Sequence, residues 1–290
     1  MSIVITGASG RLGRLTAEAV LETIEPSDLV LVTRTPEGLA DLAARGADVR
    51  AGDFDRPETL PAAFAGGERL LLISTDRAGD RVPQQQAAID AAAAAGVRSI
   101  AYTSIVNPSD SNPAAVAAKH RATEEHLRTS GLAWTFLRHG IYADLQVQSA
   151  AAALATGKLI TNDGDGRTTY VAREDLARAA AAVLTSDGHD GKIYDLTGPE
   201  ALGAADLAAV FADAGGRPVE PVFLDDEAWI AAMVEHAGLP EPGARLYATF
   251  GIAARQGYLA IVSPTLGELT GRPRKTVREL IREQLAGVPA

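Results

Sequence analysis

The first half of the chain alternates short apolar runs with longer alanine-rich stretches whose apolar residues have helical spacing. This alternation is typical of β-α-β units, in which parallel strands are joined by helices. Right-handed crossovers bring the carboxyl ends of such strands to one edge of the sheet. The pattern predicts strands over 2–6, 28–32, 48–51, 69–74, 99–103 and 134–137, and helices over 11–23, 37–45, 57–64, 84–95 and 113–129.

After about residue 141 the pattern loosens into helices, short strands and Gly/Pro breaks. The predicted fold class is α/β: a Rossmann doubly wound parallel sheet with a smaller α+β C-terminal substrate lobe. We expect an NADP-binding Rossmann domain over 1–141 and a substrate lobe over 142–290, partly interleaved because a strand near 192–196 can join the main sheet. The other predicted elements are a strand over 168–171 and helices over 174–185, 204–214, 226–237 and 275–286.

A glycine-rich turn lies between the first predicted strand and the first helix, where residues 6–13 read Thr-Gly-Ala-Ser-Gly-Arg-Leu-Gly. Gly7 permits a tight turn, Gly10 lets backbone amides approach phosphate oxygens, and Gly13 lets the helix pack close to the strand. The helix N-terminus attracts an anion. Three glycines are a weak signal alone, but the flanking strand and helix, and a second strand about twenty residues later, indicate a dinucleotide site.

The end of the second strand indicates which dinucleotide binds. NAD sites usually place an acidic residue there, whereas Thr33-Arg34-Thr35 offers a cation and two hydroxyls to a 2′-phosphate. NADP(H) is therefore the preferred cofactor, and NAD(H) is possible. The chain has no cysteine, so redox chemistry has to come from a bound cofactor.

Composition restricts the classes of binding partner that we expect for this chain. The 290 residues are 47% apolar and carry a formal net charge of −10, which argues for a large core and against nucleic acid as a partner. No apolar run approaches the length of a membrane span, and we expect no leader, because the first predicted strand begins almost at Met1. We expect a soluble, cytoplasmic monomer or homodimer that binds neither nucleic acid nor membrane. The histidine spacing favours no metal site, and no hydrolase elbow or Walker motif occurs.

The residues that close each strand are candidates for ligand contact, because ligands of such sheets bind beyond the carboxyl ends of the strands. Asp53 and Phe54 follow the third strand and can hold adenine; the alternative is an Asx turn ahead of Asp55. Residues 73–75 close the fourth strand. Thr103 and its neighbours close the fifth, where their hydroxyls can meet the nicotinamide or, alternatively, bond nearby backbone.

Several short motifs carry a family resemblance. They are the opening Ile-Thr-Gly-Ala-Ser-Gly-Arg-Leu-Gly, Gly52-Asp53, the segments at 71–74 and 101–104, Arg138-His139-Gly140-Ile141-Tyr142, and Leu-Thr-Gly-Arg-Pro at 269–273. Together they resemble the NmrA-like branch of the atypical short-chain dehydrogenase/reductases, and within it the type 2 NAD(P)H:quinone oxidoreductases. The resemblance spans nearly the whole chain.

The resemblance implies reduction of quinone-like or other conjugated aromatic acceptors by direct hydride transfer from NADPH, without flavin or metal. It also implies how the cofactor site is divided among residues. The cofactor-binding residues are Gly7, Ser9, Gly10, Arg11, Leu12 and Gly13 at the phosphates, Arg34 at the 2′-phosphate, Asp53 and Phe54 at adenine, Ile73, Ser74 and Thr75 at ribose, and Thr103, His139, Gly140 and Ile141 at nicotinamide.

One departure from the wider superfamily bears on mechanism. Ordinary short-chain dehydrogenases use a Tyr-x-x-x-Lys pair as proton donor, but no tyrosine lies between Tyr102 and Tyr142. A simple ketone is therefore disfavoured, whereas a reduced quinone is a delocalised anion that can take its proton from water. The predicted catalytic residues are Lys119, His120 and Thr103, and the predicted substrate contacts are Ser104, Tyr142 and Trp229.

These candidates have structural alternatives. Lys119 can instead be an exposed helix cation near Glu124, and the spacing of Trp229 from Met233 is also that of a core residue. Two other functions stay open: a non-catalytic NADP(H)-binding redox sensor of the NmrA type, and a tailoring oxidoreductase or oxygenase acting on aromatic polyketides. Consumption of NADPH separates an enzyme from a sensor.

Overall fold

A seven-stranded sheet lies at the centre of the computed structural model, which describes residues 1–75 and 81–286. The strands are β1 (Ile3–Thr6), β2 (Leu29–Thr33), β3 (Asp48–Ala51), β4 (Arg69–Leu72), β5 (Ser99–Ile105), β6 (Ala133–His139), β7 (Ile141–Tyr142), β8 (Lys158–Thr161), β9 (Thr168–Val171), β10 (Lys192–Leu196), β11 (Ala201–Leu202) and β12 (Glu220–Phe223). The helices are α1 (Arg11–Val20), α2 (Ala40–Ala44), α3 (Leu60–Phe64), α4 (Arg81–Ala94), α5 (Ala117–Thr129), α6 (Leu145–Thr156), α7 (Arg173–Thr185), α8 (Ala204–Gly215), α9 (Asp226–Ala237), α10 (Glu241–Arg255), α11 (Thr265–Thr270) and α12 (Val277–Ala286).

The strands of this sheet run in the order β10-β6-β5-β4-β1-β2-β3, and every neighbouring pair is parallel. The order reverses beside β1, which is the switch point at which doubly wound sheets bind their ligands. The predicted Rossmann fold class is confirmed. All seven carboxyl ends therefore lie along one edge, which we call the carboxyl edge.

Helices cover both faces of the sheet because side chains of a strand alternate between its faces. Ile3 and Ile5 of β1 pack in the cluster that contains α1 and α7, whereas Val4 packs in the cluster that contains α3, α4 and the end of α5. All three of these side chains are fully buried. Burial on both faces explains why β1, β2 and β4 read as nearly continuous apolar runs.

The second half of the chain completes the main sheet as well as forming its own layer. β10 pairs with β6 as an edge strand, and Leu176 of α7 and Leu266 of α11 belong to the cluster around β1. A separate cluster joins α6, β8, α8 and α12 around Phe211. The two halves are thus interleaved. No helix in the described ranges has both the length and the apolar character needed to cross a bilayer.

The sequence pattern missed several elements. α6, α10, α11 and four short strands, β7, β8, β11 and β12, were not predicted. α10 contains Pro242 and Gly251, which are residue types that disfavour a helix interior. Pro242 lies in the first turn, where a missing N–H is harmless, and a Cβ on Gly251 would meet the Asn162 side chain at 2.1 Å. Tertiary packing therefore decided these residues, not helix propensity.

Candidate active site

The glycine turn has the conformation that the sequence predicts. Gly7 has φ +59°, a left-handed value that favours glycine, and its carbonyl accepts from the backbone N–H of Gly10 at 2.9 Å. Gly10 precedes the first turn of α1, and no side chain caps that helix. Gly7, Ser9 and Gly10 are exposed. The N-terminal amides of α1 are therefore available to an anion from outside.

Gly13 fixes the distance between α1 and β1. A Cβ there would lie 2.3 Å from the carbonyl oxygen of Gly7 and 2.8 Å from Cα of Ala8. Both atoms belong to backbone, which cannot turn aside as a flexible side chain does. Leu12, one residue earlier, is buried in the cluster beneath α1. The close approach predicted for the third glycine is what the structure shows.

The end of β2 is tied to this turn by hydroxyl groups. Ser9 Oγ and Thr33 Oγ1 are 2.7 Å apart, and Thr33 Oγ1 accepts from the N–H of Thr35. Arg34 between them is exposed, and no carboxylate in the described parts of the chain pairs with it. An exposed guanidinium beside the phosphate turn suits a second phosphate group.

Arg11 and Asp144 connect the glycine turn to the second half of the chain. Arg11 Nη2 lies 3.9 Å from Asp144 Oδ1, and the Arg11 side chain is 72% exposed. Asp144 Oδ2 also accepts from the N–H of Arg173, the first residue of α7, at 3.0 Å. α7 packs on α1, so the two helices present their N-termini at the same edge. Sequence reasoning missed Asp144.

The segment after β3 shows the alternative foreseen for Asp53. Its Oδ1 accepts from the N–H of Asp55 at 3.0 Å, which is an Asx turn, and its Oδ2 lies 3.6 Å from Arg56 Nε. Phe54 is half-buried against the cluster below α3 and α4. The Asx turn does not consume every lone pair of Asp53, so the predicted adenine contact stays a prediction.

Threonine hydroxyls join the residues after β4 to the end of β1 on one side and to β5 on the other. Thr6 Oγ1 accepts from the N–H of Ile73 at 3.0 Å, and Thr103 Oγ1 accepts from the N–H of Ser74 at 2.8 Å. Thr103 also donates to Ser74 Oγ at 3.2 Å. Thr103 is 1% exposed. In this structure it therefore holds two strand ends together, and its predicted contact with the nicotinamide stays a prediction.

A buried polar triad lies on the other face of β5. The hydroxyl of Tyr102 donates to Gln85 Oε1 at 2.5 Å, so its oxygen accepts from His120 Nδ1 at 2.8 Å. Burial, with help from Arg81 and His139, lowers the pKa of His120 to about 3. His120 is therefore neutral, with its hydrogen on Nδ1, and its Nε2 is an acceptor. Burial raises the pKa of Tyr102.

Lys119 precedes His120 in the first turn of α5 and is half-buried. Glu124, five residues later on α5, has a carboxylate that is 2% exposed and binds Arg138 through two hydrogen bonds of 2.9 and 2.6 Å. The alternative of a helix cation near Glu124 stays open. The catalytic role of Lys119 stays a prediction.

His139 and Tyr142 lie together where β6 passes into β7. His139 Nδ1 is 3.3 Å from the Tyr142 hydroxyl, and burial lowers the pKa of His139 to about 3. Gly140 between them donates to the carbonyl of Leu196 at 2.9 Å, and a Cβ on it would lie 2.8 Å from the carbonyl oxygen of Thr169. Glycine therefore allows the chain to leave one sheet and enter another.

Arg173 is the second residue that sequence reasoning missed. Its Cζ lies 4.5 Å from the centre of the Tyr142 ring, a cation–π distance. Its Nη1 is 3.5 Å from Asp144 Oδ1. Arg173 and Tyr142 become neighbours because β7 pairs with β9, with Tyr142 opposite Val171. That pairing gave no sequence signal, since β7 is only two residues long.

Several buried polar atoms along the carboxyl edge have no hydrogen-bond partner among the described residues. They are Thr75 Oγ1, Ser104 Oγ, His139 Nε2 and Arg173 Nη1. Such atoms are rare in folded proteins unless a ligand or water bonds them. Together with the open glycine turn, they fit a long polar cofactor such as a nicotinamide dinucleotide, lying along this edge from the turn to the end of β6.

Two features lie apart from this edge. Trp229 packs in a small cluster between α9 and α10 with Ile230 and Met233, and no described ring pair joins it to Tyr142. Its substrate contact stays a prediction. A concavity of about 400 Å³ lies at the opposite edge of the sheet, near Arg69 and His189. The Arg69 guanidinium donates hydrogen bonds to the carbonyls of Leu184 and Ser186 at the end of α7, so it stabilises the fold.

Comparison with known proteins agrees with this geometry. A model of the NAD(P)H-binding family matches residues 7–187. The chain is 40% identical to Quinone oxidoreductase 2 of Escherichia coli, over 96% of this chain and 97% of that protein. It is 30% identical to an NmrA-like family domain-containing oxidoreductase of Aspergillus flavus, over 98% of this chain and 96% of the other.

Two solved structures extend the comparison. The crystal structure of the E. coli NADPH-dependent quinone oxidoreductase complexed with NADPH matches with a TM-score of 0.94 and 38% identity, covering 98% of this chain and 99% of that one. Citrobacter sp. triphenylmethane reductase complexed with NADP(H) matches with a TM-score of 0.92 and 34% identity, covering 97% and 99%. This chain therefore belongs to the NAD(P)H-binding family, and it is related to the NmrA-like oxidoreductases, as the sequence motifs predict.

Proposed function

We propose that this protein is an NADPH-dependent reductase that transfers hydride directly to a quinone or another conjugated aromatic acceptor. The observation that carries the proposal is the set of unpartnered buried polar atoms of Thr75, Ser104, His139 and Arg173, in a chain similar over nearly its whole length to an NADPH-dependent quinone oxidoreductase. The dinucleotide supplies hydride from its nicotinamide ring. The protein supplies the orientation and the electrostatic environment.

Residues of this chain divide the work of binding. The amides after Gly10 and the N-terminus of α1 hold the pyrophosphate, with Arg11 at its side. Arg34 and Thr35 hold the 2′-phosphate, which makes NADPH the preferred cofactor over NADH. The unpartnered hydroxyl of Thr75 bonds the ribose, and that of Ser104 is available to the acceptor. A flat acceptor needs little more than stacking and a donor for its developing charge.

The function is tested by mixing purified protein with NADPH and with menadione or benzoquinone, and following the loss of NADPH absorbance. An enzyme consumes NADPH in proportion to acceptor. A sensor of the NmrA type binds NADPH, visible as a thermal shift, without consuming it. Binding with no turnover across a panel of quinones and triphenylmethane dyes would overturn the proposal in favour of the sensor.

Cofactor preference is tested at Arg34. Arg34→Glu should raise the Kd for NADPH at least tenfold, about 1.4 kcal/mol, and leave the Kd for NADH nearly unchanged, because only NADPH carries the 2′-phosphate. Arg272→Glu is the matched control, since Arg272 is exposed and lines a concavity near the end of α1, away from the turn at its start. Equal weakening of NADPH and NADH by Arg34→Glu would contradict the assignment.

A further inference from the structure

Tyr142 has a hydroxyl whose hydrogen is available to a ligand. His139 is neutral, because burial lowers its pKa to about 3. With the hydrogen on Nδ1, His139 donates to the Tyr142 oxygen 3.3 Å away, and its buried Nε2 keeps a lone pair. Without cofactor, the other tautomer would bury an N–H that has no acceptor among the described residues, which is the rarer arrangement. The Nε2 lone pair is then what a donor group of the cofactor would meet. Tyr142 then accepts from His139 and directs its own O–H elsewhere.

A permanent cation lies against the same tyrosine. Arg173 Cζ is 4.5 Å from the ring centre, and the Arg173 side chain is 13% exposed. Nη1 is buried and makes no hydrogen bond among the described residues, although Asp144 lies 3.5 Å away. A cation over the ring draws electron density from the phenol and strengthens its hydroxyl as a donor. Asp144 anchors the guanidinium rather than the tyrosine.

We infer that Tyr142 is the hydrogen-bond donor to the acceptor oxygen that becomes negative during reduction, with His139 and Arg173 as its positioning residues. This inference rests on the proposed function, because it assigns a role in that reaction. Tyr142 follows β6 at the carboxyl edge, next to the residues predicted at the nicotinamide. It would supply the donor that the missing Tyr-x-x-x-Lys pair supplies in ordinary short-chain dehydrogenases.

The chemistry balances without ionising Tyr142. A quinone gains a hydride, which is two electrons and one proton, and becomes a hydroquinone monoanion; one proton from solvent then gives the hydroquinone. Burial raises the pKa of Tyr142 to about 12, even though Arg173 opposes the shift. A phenol that weakly acidic keeps its proton at neutral pH. Tyr142 therefore stabilises the anion by donating a hydrogen bond, not by giving up its proton.

Turnover provides the first test. Tyr142→Phe keeps the ring against Arg173 and removes only the hydroxyl, so kcat with menadione should fall about a hundredfold, while the Kd for NADPH changes less than twofold. Tyr194→Phe is the matched control, because the Tyr194 hydroxyl also lies within hydrogen-bond distance of a histidine, at 2.9 Å from His189 Nδ1. His189 lines the concavity at the opposite edge of the sheet, far from the proposed site. Tyr194→Phe should keep wild-type kcat.

The second test is a spectroscopic signature that a purely structural role would not move. 4-Nitrophenol is a flat phenol whose anion absorbs visible light and whose neutral acid does not. Bound to protein saturated with NADP⁺, it should be more ionised than in buffer of the same pH. Tyr142→Phe and Arg173→Gln should lower that ionised fraction, and Arg173→Lys should restore part of it.

The outcomes separate the two proposals. A wild-type protein that consumes no NADPH with any quinone defeats the proposed function. Quinone turnover that Tyr142→Phe leaves within threefold of wild type, with no change in the ionised fraction of 4-nitrophenol, defeats this inference alone. If Tyr142→Phe loses NADPH binding, the variants Arg173→Lys and Arg173→Gln provide the test instead. A higher kcat for Arg173→Lys than for Arg173→Gln supports the inference, and an equal loss of kcat in both overturns it.

Discussion

Gly13→Ala is the most direct test of the glycine turn as the phosphate-binding site, because the structure shows which atoms the added methyl group would meet. The new Cβ would lie 2.3 Å from the Gly7 carbonyl oxygen, more than 1 Å inside ordinary contact, which begins at 3.4 Å. The obstacle is backbone on the strand side of the turn. α1 must therefore move away from β1 and carry the amides after Gly10 out of position.

The size of the effect follows from those amides. Weakening two amide–phosphate hydrogen bonds costs about 3 kcal/mol, a loss of more than about a hundredfold in affinity for NADPH. The same displacement disturbs a packed interface, which lowers the free energy of unfolding by about 1–3 kcal/mol. Affinity is measured by titration of NADPH fluorescence, and stability by urea unfolding without cofactor.

Gly243→Ala is the matched control. Gly243 lies in the first turn of α10, and nothing stands within 4 Å of the Cβ it would gain. It should leave NADPH affinity unchanged and stabilise the fold by up to about 1 kcal/mol, because alanine is the better helix former. A folded Gly13→Ala protein that binds NADPH with an affinity within threefold of wild type would refute the assignment of the glycine turn as the phosphate-binding site.

Two further predictions concern the buried polar groups. Tyr102→Phe should lower the free energy of unfolding by about 2 kcal/mol in urea, because Gln85 Oε1 and His120 Nδ1 lose their shared partner in the core; unchanged stability would show that neither bond matters. His139 has a pKa of about 3 when folded, against an ordinary histidine value of 6.5 in the unfolded chain. The unfolded chain therefore binds more protons between these values, and stability falls as pH drops below 6.5. Between pH 6 and 5, His139→Gln should lose up to about 1.4 kcal/mol less stability than wild type; identical losses would contradict the neutral histidine.

The phosphate turn was predictable because all its information is local. Eight consecutive residues set the turn, the close approach of Gly13 and the start of α1, and no distant pairing is needed to interpret them. Strands β1, β2 and β4 were equally accessible, since burial on both faces leaves continuous apolar runs. β10 was recognised as a strand, but its partner β6 lies about fifty residues earlier, so its place in the sheet was only an expectation.

The nicotinamide end was less accessible for the opposite reason. Arg173 follows β9, and β9 is in a three-stranded sheet with β7 and β11 rather than in the main sheet. Its contact with Tyr142 depends on the register of a two-residue strand, which no periodicity reveals. Lys119 and His120 could be named as candidates from the sequence because they lie together in one short segment. The hydrogen-bond role of His120 toward Tyr102 required the fold of α5 onto β5.

The neutrality of the two histidines limits which groups can assist catalysis. Burial holds the pKa of both His120 and His139 near 3, so neither carries a charge at neutral pH, and His120 already donates its only hydrogen to Tyr102. Neutral imidazoles are poor proton donors, so neither is well suited to protonate a product, and the predicted catalytic role of His120 stays a prediction. Positive charge near this edge has to come from groups that stay ionised, such as Arg173 against Tyr142. That arrangement suits an acceptor that needs a hydrogen bond during reduction and can collect its proton from water afterwards.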